Sequence, residues 1–391
     1  MPTSERLIED IPLTKKWLQD VIETKLNVRP TIGMVSLLAD ADLGYMSLIR
    51  RVQLVWNEEE DEHLPKAVVV KITRTESGGD IIQKTGIDQA EHQLDDLTKF
   101  MHDNECAYYT FFEKYRAKHS LRVPKIYAAV NSKLEGADIP VIVMECFDNC
   151  HVFDLIPGFE EAELKQIAEE IAKLHIFALT TSEWKQFPKI QDHCAADFPS
   201  QIFQMAKGLA HNPLLSELPR FLENTFGKNI HFAEDVVELY QSGERCAVIA
   251  HADMWCPQFL FDKDQKLKGL IDWQISHIGS PTEDFIHLLS TCTTVENRRK
   301  LTPKLLDHYY TILCDGLKEK DVEIPFTREE LDEEYRFASR HVAIFTIFAI
   351  GFWSNSNVLQ KDGIPDPERI TESFTRCNEF LKDVNDSWNF A

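Results

Sequence analysis

Two carboxylates flank a short hairpin in a stretch of chain that otherwise reads as helix. His251-Ala-Asp253-Met-Trp-Cys-Pro-Gln258 leads into the apolar run Phe259 to Phe261; after a polar turn, the run Leu267 to Ile271 ends at Asp272. The pattern predicts two strands, with one acid on the loop entering the first and the other closing the second. Around it, Glu161 to Leu179, parts of 200 to 242, Ser280 to Thr291 and most of 296 to 385 carry apolar residues at helical spacing. The first 150 residues differ. A helix is predicted over 6 to 26, then strands over Leu48 to Trp56 and Ala67 to Thr73 around the acidic turn Asn57 to Glu62. A polar loop with Ser77-Gly-Gly-Asp leads to a helix over Leu94 to Tyr115 and strands over Lys125 to Val130 and Pro140 to Phe147. This order predicts an α+β chain of two lobes, a small β-rich one over 1–148 and a larger, mostly helical one over 149–391, with a cleft between them.

At 391 residues, 43% of them hydrophobic, the chain can fill two cores. Its formal charge of −22 repels nucleic acid and anionic membranes over most of the surface, so neither is an expected partner. A nucleotide is repelled too unless a lysine and a divalent cation reverse the field locally. The nine cysteines show no CxxC spacing and read as reduced thiols, the N-terminal ten residues lack a signal-peptide core, and the apolar run Val342 to Trp353 is too short to span a bilayer. The expected location is the cytoplasm; oligomeric state is not readable.

Asp253 and Asp272 suit phosphoryl transfer, which needs one carboxylate to take a proton from the attacking hydroxyl and another to hold a magnesium ion on the nucleotide phosphates. Lys71 sits inside the apolar strand and shares a face with Val69 and Thr73 by two-residue alternation. Along the Leu94 helix the stripe Leu94, Leu97, Met101, Glu105, Tyr108, Phe112, Tyr115 has Glu105 as its one charged member, a carboxylate in want of a cation such as Lys71. Gly44-Tyr45-Met46-Ser47 could turn amides and the Ser47 hydroxyl toward phosphate, although a lone glycine more often marks only a turn. Gly78 to Thr85 approximates a P-loop, but Gln83 replaces the glycine before the lysine and the stretch reads as a plain loop. His251, His277 and His287 permit a metal-hydrolase reading without tight ligand spacing. The better reading has His251 bracing its loop, His175 in the core, and Glu283-Asp284 answering a helix dipole.

With those residues in hand, the chain resembles the choline-kinase-like and ecdysteroid-kinase-like families related to aminoglycoside phosphotransferases, from about residue 30 to 300. The family's His-Gly-Asp-Leu-Trp-x-x-Asn corresponds to His251 to Gln258, and its downstream segment to Ile271-Asp272-Trp273-Gln274 with Gly279 to Asp284. The resemblance implies a protein-kinase-like bilobal fold, with ATP and Mg as cofactors. It makes Asp253 the catalytic base, Asp272 and Gln258 the metal ligands, Lys71 and Glu105 the nucleotide-lobe ion pair, and Met144, Glu145 and Phe147 the gate and hinge at adenine. Two positions depart from the family. Ala252 replaces a glycine, and Gln258 replaces the magnesium-binding asparagine. The extra methylene matters because magnesium demands near-ideal octahedral geometry, and a displacement of about 1 Å can cost on the order of 100-fold in activity. The expected function is phosphate transfer to a hydroxyl of a small organic molecule. The alternative is an impaired kinase fold that binds nucleotide or metabolite as a sensor or scaffold.

Overall fold

The computed structural model describes residues 5–8, 11–38, 47–57, 63–73, 91–189 and 198–387. Five antiparallel strands form one sheet: β1 (Thr31–Leu37), β2 (Ser47–Val55), β3 (Ala67–Thr73), β4 (Ile126–Val130) and β5 (Val141–Glu145), in the order β1-β2-β3-β5-β4. Four of these match the predicted strands within two residues. β1 was not anticipated. It is the sheet edge, with Met34 and Leu37 facing solvent, so it shows neither alternation nor a buried run.

The pleat of β3 divides its side chains between two layers. Val68, Val70 and Ile72 pack with Leu7, Leu18 and Ile22 of the N-terminal segment, while Val69, Lys71 and Thr73 face the helix Glu91–Lys114. Covered on both faces, β3 has every residue but Thr73 buried. The N-terminal helix is shorter than predicted and runs Lys15–Leu26. Pro12 cannot supply an interior amide hydrogen, and Thr14 instead caps the start by accepting from the Trp17 amide. Residues before it still serve the core: Leu7, Ile11 and Leu13 are buried, and Arg6 bridges to Thr14.

The second lobe is built on the paired helices Glu161–Leu179 and Val295–Glu319, with Arg328–Ser354 and Pro367–Ser387 behind them. The helix Arg328–Ser354 is long and apolar enough to cross a membrane by composition, but 67% of its apolar window is buried. The predicted hairpin forms as β8 (Phe259–Asp262) and β9 (Leu267–Leu270), extended by β6 (Cys150–His151). It is not the only β structure there. β7 (Val248–Ala250) pairs antiparallel with β10 (His277–Gly279), each being three residues long and too short for alternation to show in sequence. Together the sheet, its front helix and this helical remainder make the protein-kinase-like, two-lobed α+β architecture expected.

Candidate functional site

The loop His251–Gln258 leaves β7 and enters β8, and Asp272 follows β9. Both are pinned from behind. The His251 and Ala252 amides donate to the two carboxylate oxygens of Asp284 at 3.0 and 2.8 Å. The His251 ring donates through Nε2 to the Ile271 carbonyl at 2.9 Å and accepts the Asp253 amide on Nδ1 at 3.3 Å, so one imidazole ties the loop to the strand end that presents Asp272. Burial pushes the His251 pKa down to about 4, which keeps the ring neutral for this double role. Ala252, in the family's glycine position, has φ 69°, a left-handed conformation that disfavours a side chain.

Gln258 closes the loop. Its backbone carbonyl accepts the Ile271 amide at 3.1 Å, and its side-chain Nε2 reaches Asp253 Oδ2 at 3.1 Å and Asp272 Oδ2 at 3.2 Å. Lys71 completes the set from above: Nζ lies 2.7 Å from Glu105 Oε2 and 2.6 Å from Asp272 Oδ1. Five sequence-predicted residues thus form one unbroken line, Glu105, Lys71, Asp272, Gln258, Asp253. Burial opposes charge on Lys71, but Asp272 and then Glu105 outweigh it, and its pKa is raised. Burial lifts the Glu105 carboxyl, with Lys71 opposing. Asp253 is pushed well above the carboxylate range, first by burial and then by the neighbouring charge of Asp272.

The other predicted residues lie outside this line. Ser47 opens β2 opposite Thr73, and the glycine-containing stretches Gly44 to Met46 and Gly78 to Thr85 lie outside the described residues. Met144 is buried between Val69 and Ile126. At the end of β5 the Glu145 amide donates to Lys125 O at 2.8 Å, and its carboxylate accepts the Lys125 amide at 3.0 Å. The Phe147 ring lies against Gly269 of β9, where a Cβ would come within 2.8 Å of it.

Sequence reasoning undervalued Glu283 and Asp284. They do occupy the first turn of the helix Glu283–Thr291, but their side chains act elsewhere: Asp284 clasps the loop amides, and Glu283 pairs with His277 Nε2 at 3.1 Å. An acid at a helix start satisfies the dipole argument wherever its side chain points, so no local pattern separates these roles. Two further histidines singled out in the sequence sit in the core, His175 bonded to the Tyr309 hydroxyl at 2.8 Å and His287 buried.

The donor set suits magnesium. Asp272 and Asp253 bring hard oxygen donors to one place, with the Gln258 amide between them turned Nε2 first, and magnesium is commonly held by one or two carboxylates plus phosphate oxygens. Among the described residues, no three His, Cys, Asp or Glu side chains are grouped to hold an ion by themselves.

The chain matches the family model DUF1679, described as "Uncharacterized oxidoreductase dhs-27", over residues 13–390. The Caenorhabditis elegans protein "Uncharacterized oxidoreductase dhs-27" is 26% identical over an alignment 353 residues long that covers 83% of this chain and 40% of that protein. A second C. elegans protein, "Uncharacterized kinase-like protein D1044.1", is 27% identical over an alignment 212 residues long that covers 51% of this chain and 53% of its own length. This chain therefore spans about half or less of the curated relatives it matches. Among solved structures, choline kinase LicA from Streptococcus pneumoniae aligns over 94% of this chain and 99% of its own, at 14% identity and a TM-score of 0.44.

Proposed function

The chain belongs to the DUF1679 family, and from its site we propose that it is an ATP- and magnesium-dependent phosphotransferase that moves the γ-phosphate to a hydroxyl of a small organic molecule. The observation that carries this reading is the line from Glu105 through Lys71, Asp272 and Gln258 to Asp253, a buried cation beside two carboxylates and an amide, which are the group types that phosphoryl transfer uses. The name of the kinase-like relative agrees with it. The name oxidoreductase belongs to a protein most of whose length has no counterpart here.

In this reading Lys71, oriented by Glu105, holds the α and β phosphates. Asp253 orients the acceptor hydroxyl and takes its proton late in transfer, an assistance worth roughly 100- to 10,000-fold. Asp272 and Gln258 would hold magnesium, which when bound neutralises charge between the phosphates. Adenine would meet the backbone at Glu145 and Phe147, and Ser47 would face the phosphates at the mouth of β2. The boundary between nucleotide and acceptor lobes falls near residue 148. The partner is a hydroxylated metabolite and neither nucleic acid nor membrane. The cytoplasm suits a chain whose eight described cysteines are all free.

Incubating the protein with ATP, magnesium and a metabolite extract should produce species heavier by one phosphate. Asp253→Asn should abolish them while ADP binding persists; turnover equal to wild type removes Asp253 from the mechanism. Because Gln258 stands where the related families have asparagine and turns its Nε2 toward both acids, a binding protein without turnover is the second reading. Metal-independent nucleotide binding with no phosphorylated product selects it.

A further inference from the structure

We infer that Tyr109 is a positioning residue for Asp272, holding the metal-binding carboxylate through a hydrogen bond to its backbone. This rests on the phosphotransferase reading and deepens it. The Tyr109 hydroxyl is fully buried and accepts the Asp272 amide at 3.2 Å. Glu105 and Tyr109 are one helical turn apart and therefore share a face, so a single helix position sets both ends of the Lys71 bridge.

Asp272 has a reason to need such a hold. Its φ is 70°, a left-handed conformation that aspartate tolerates at a cost of roughly 1 kcal/mol, so the contacts around the turn bias whether it is kept. The residue before the turn is fixed by His251 through the Ile271 carbonyl, and the residues after it by Asn104, whose Nδ2 donates to Gln274 O at 3.1 Å and Ser276 O at 2.9 Å. Between those two ties, the Tyr109 hydroxyl is the side-chain group that holds the Asp272 amide itself. Without it the carboxylate could rotate away from Lys71 and Gln258, and the cleft would lose its metal-holding oxygen rather than its fold. Asn104 and Tyr109 together fasten the helix Glu91–Lys114 to this turn.

The test compares full-length wild type with Tyr109→Phe by calorimetric titration of ADP, with and without Mn²⁺ as the metal probe. Loss of a group that orients a metal ligand typically lowers metal affinity roughly 10- to 100-fold. The expected result is a fall of that size for ADP with Mn²⁺ and an unchanged affinity for ADP alone. Equal affinities in the two proteins overturn the inference, as does an equal loss with and without metal, which would mark a general structural defect. If wild type binds ADP neither way, the phosphotransferase reading fails first and this inference with it. Hydrogen exchange in the unaltered protein reads the bond even if the variant misfolds: strong protection of the Asp272 amide is expected, and exchange at the rate of an exposed amide overturns the proposal.

Discussion

Lys71 is the one cation that touches both Glu105 and Asp272 in the described site, and its own side chain is only 6% exposed. Removing one partner of such a pair costs more than the pair contributes, because the remaining charge is left desolvated. Lys71→Ala should therefore lose about 3 to 5 kcal/mol in urea denaturation. Lys71→Met combined with Glu105→Gln should recover much of that loss, since Asp272 keeps access to solvent; no recovery would mean the lysine acts mainly by packing. Ala252 poses the opposite problem, a methyl group on left-handed backbone. Strain of about 1 kcal/mol is offset by the greater freedom glycine has when unfolded, so Ala252→Gly should change stability by no more than about 0.5 kcal/mol. Ala252→Val should cost roughly 2 kcal/mol or more, because a β-branched residue tolerates that conformation worst. Equal stability of the two variants would show that the loop relaxes. Sequence made Asp253, Asp272 and Lys71 legible because charged residues beside or inside apolar runs are conspicuous. It hid Tyr109, an aromatic residue on a helix whose buried face was read as one stripe, because that helix is buried on several sides between the lobes.

At the scale of elements, the loop carrying Asp253 is held by the ladder of β7 and β10 and by the helix that follows, and the His277–Glu283 pair joins β10 to that helix. Burial opposes charge on His277, yet the Glu283 carboxylate outweighs it and lifts its pKa to about 9, while burial of Glu283 is outweighed by His277 and its pKa falls. The histidine pKa is higher folded than unfolded, where it is about 6.5. Its stabilisation is therefore complete below pH 6.5 and is lost as pH rises through about 9. The urea midpoint should fall across that window by the equivalent of up to roughly 3 kcal/mol, and His277→Gln should flatten the slope. A slope that survives the substitution would assign it to another group. Helices were read well where a three-or-four repeat ran over several turns, as in Glu161–Leu179. The strands β6, β7 and β10 were missed because two or three residues carry no period.

Across the whole molecule, the small lobe depends on both covers of its sheet. Leu18 and Ile22 are completely buried against the back face, and Val68, Val70, Val141 and Val143 beneath them are equally enclosed. A chain lacking residues 1–27 would expose that apolar face, and it should aggregate or bind a hydrophobic dye and lose cooperative unfolding. A soluble truncation with an unchanged urea midpoint would contradict this. The amino-acid order by itself determined the two-lobed α+β plan, the identity of the acids at 253 and 272 and the pairing of Lys71 with Glu105, because hydrophobic period and an isolated charge are local signals. Only the tertiary structure decided that Asp284 clasps the loop, that Gln258 spans both acids, and that Tyr109 meets the Asp272 amide. Those contacts join residues up to 163 positions apart; their distances are set by how the helix and strand ends pack, which no local pattern encodes.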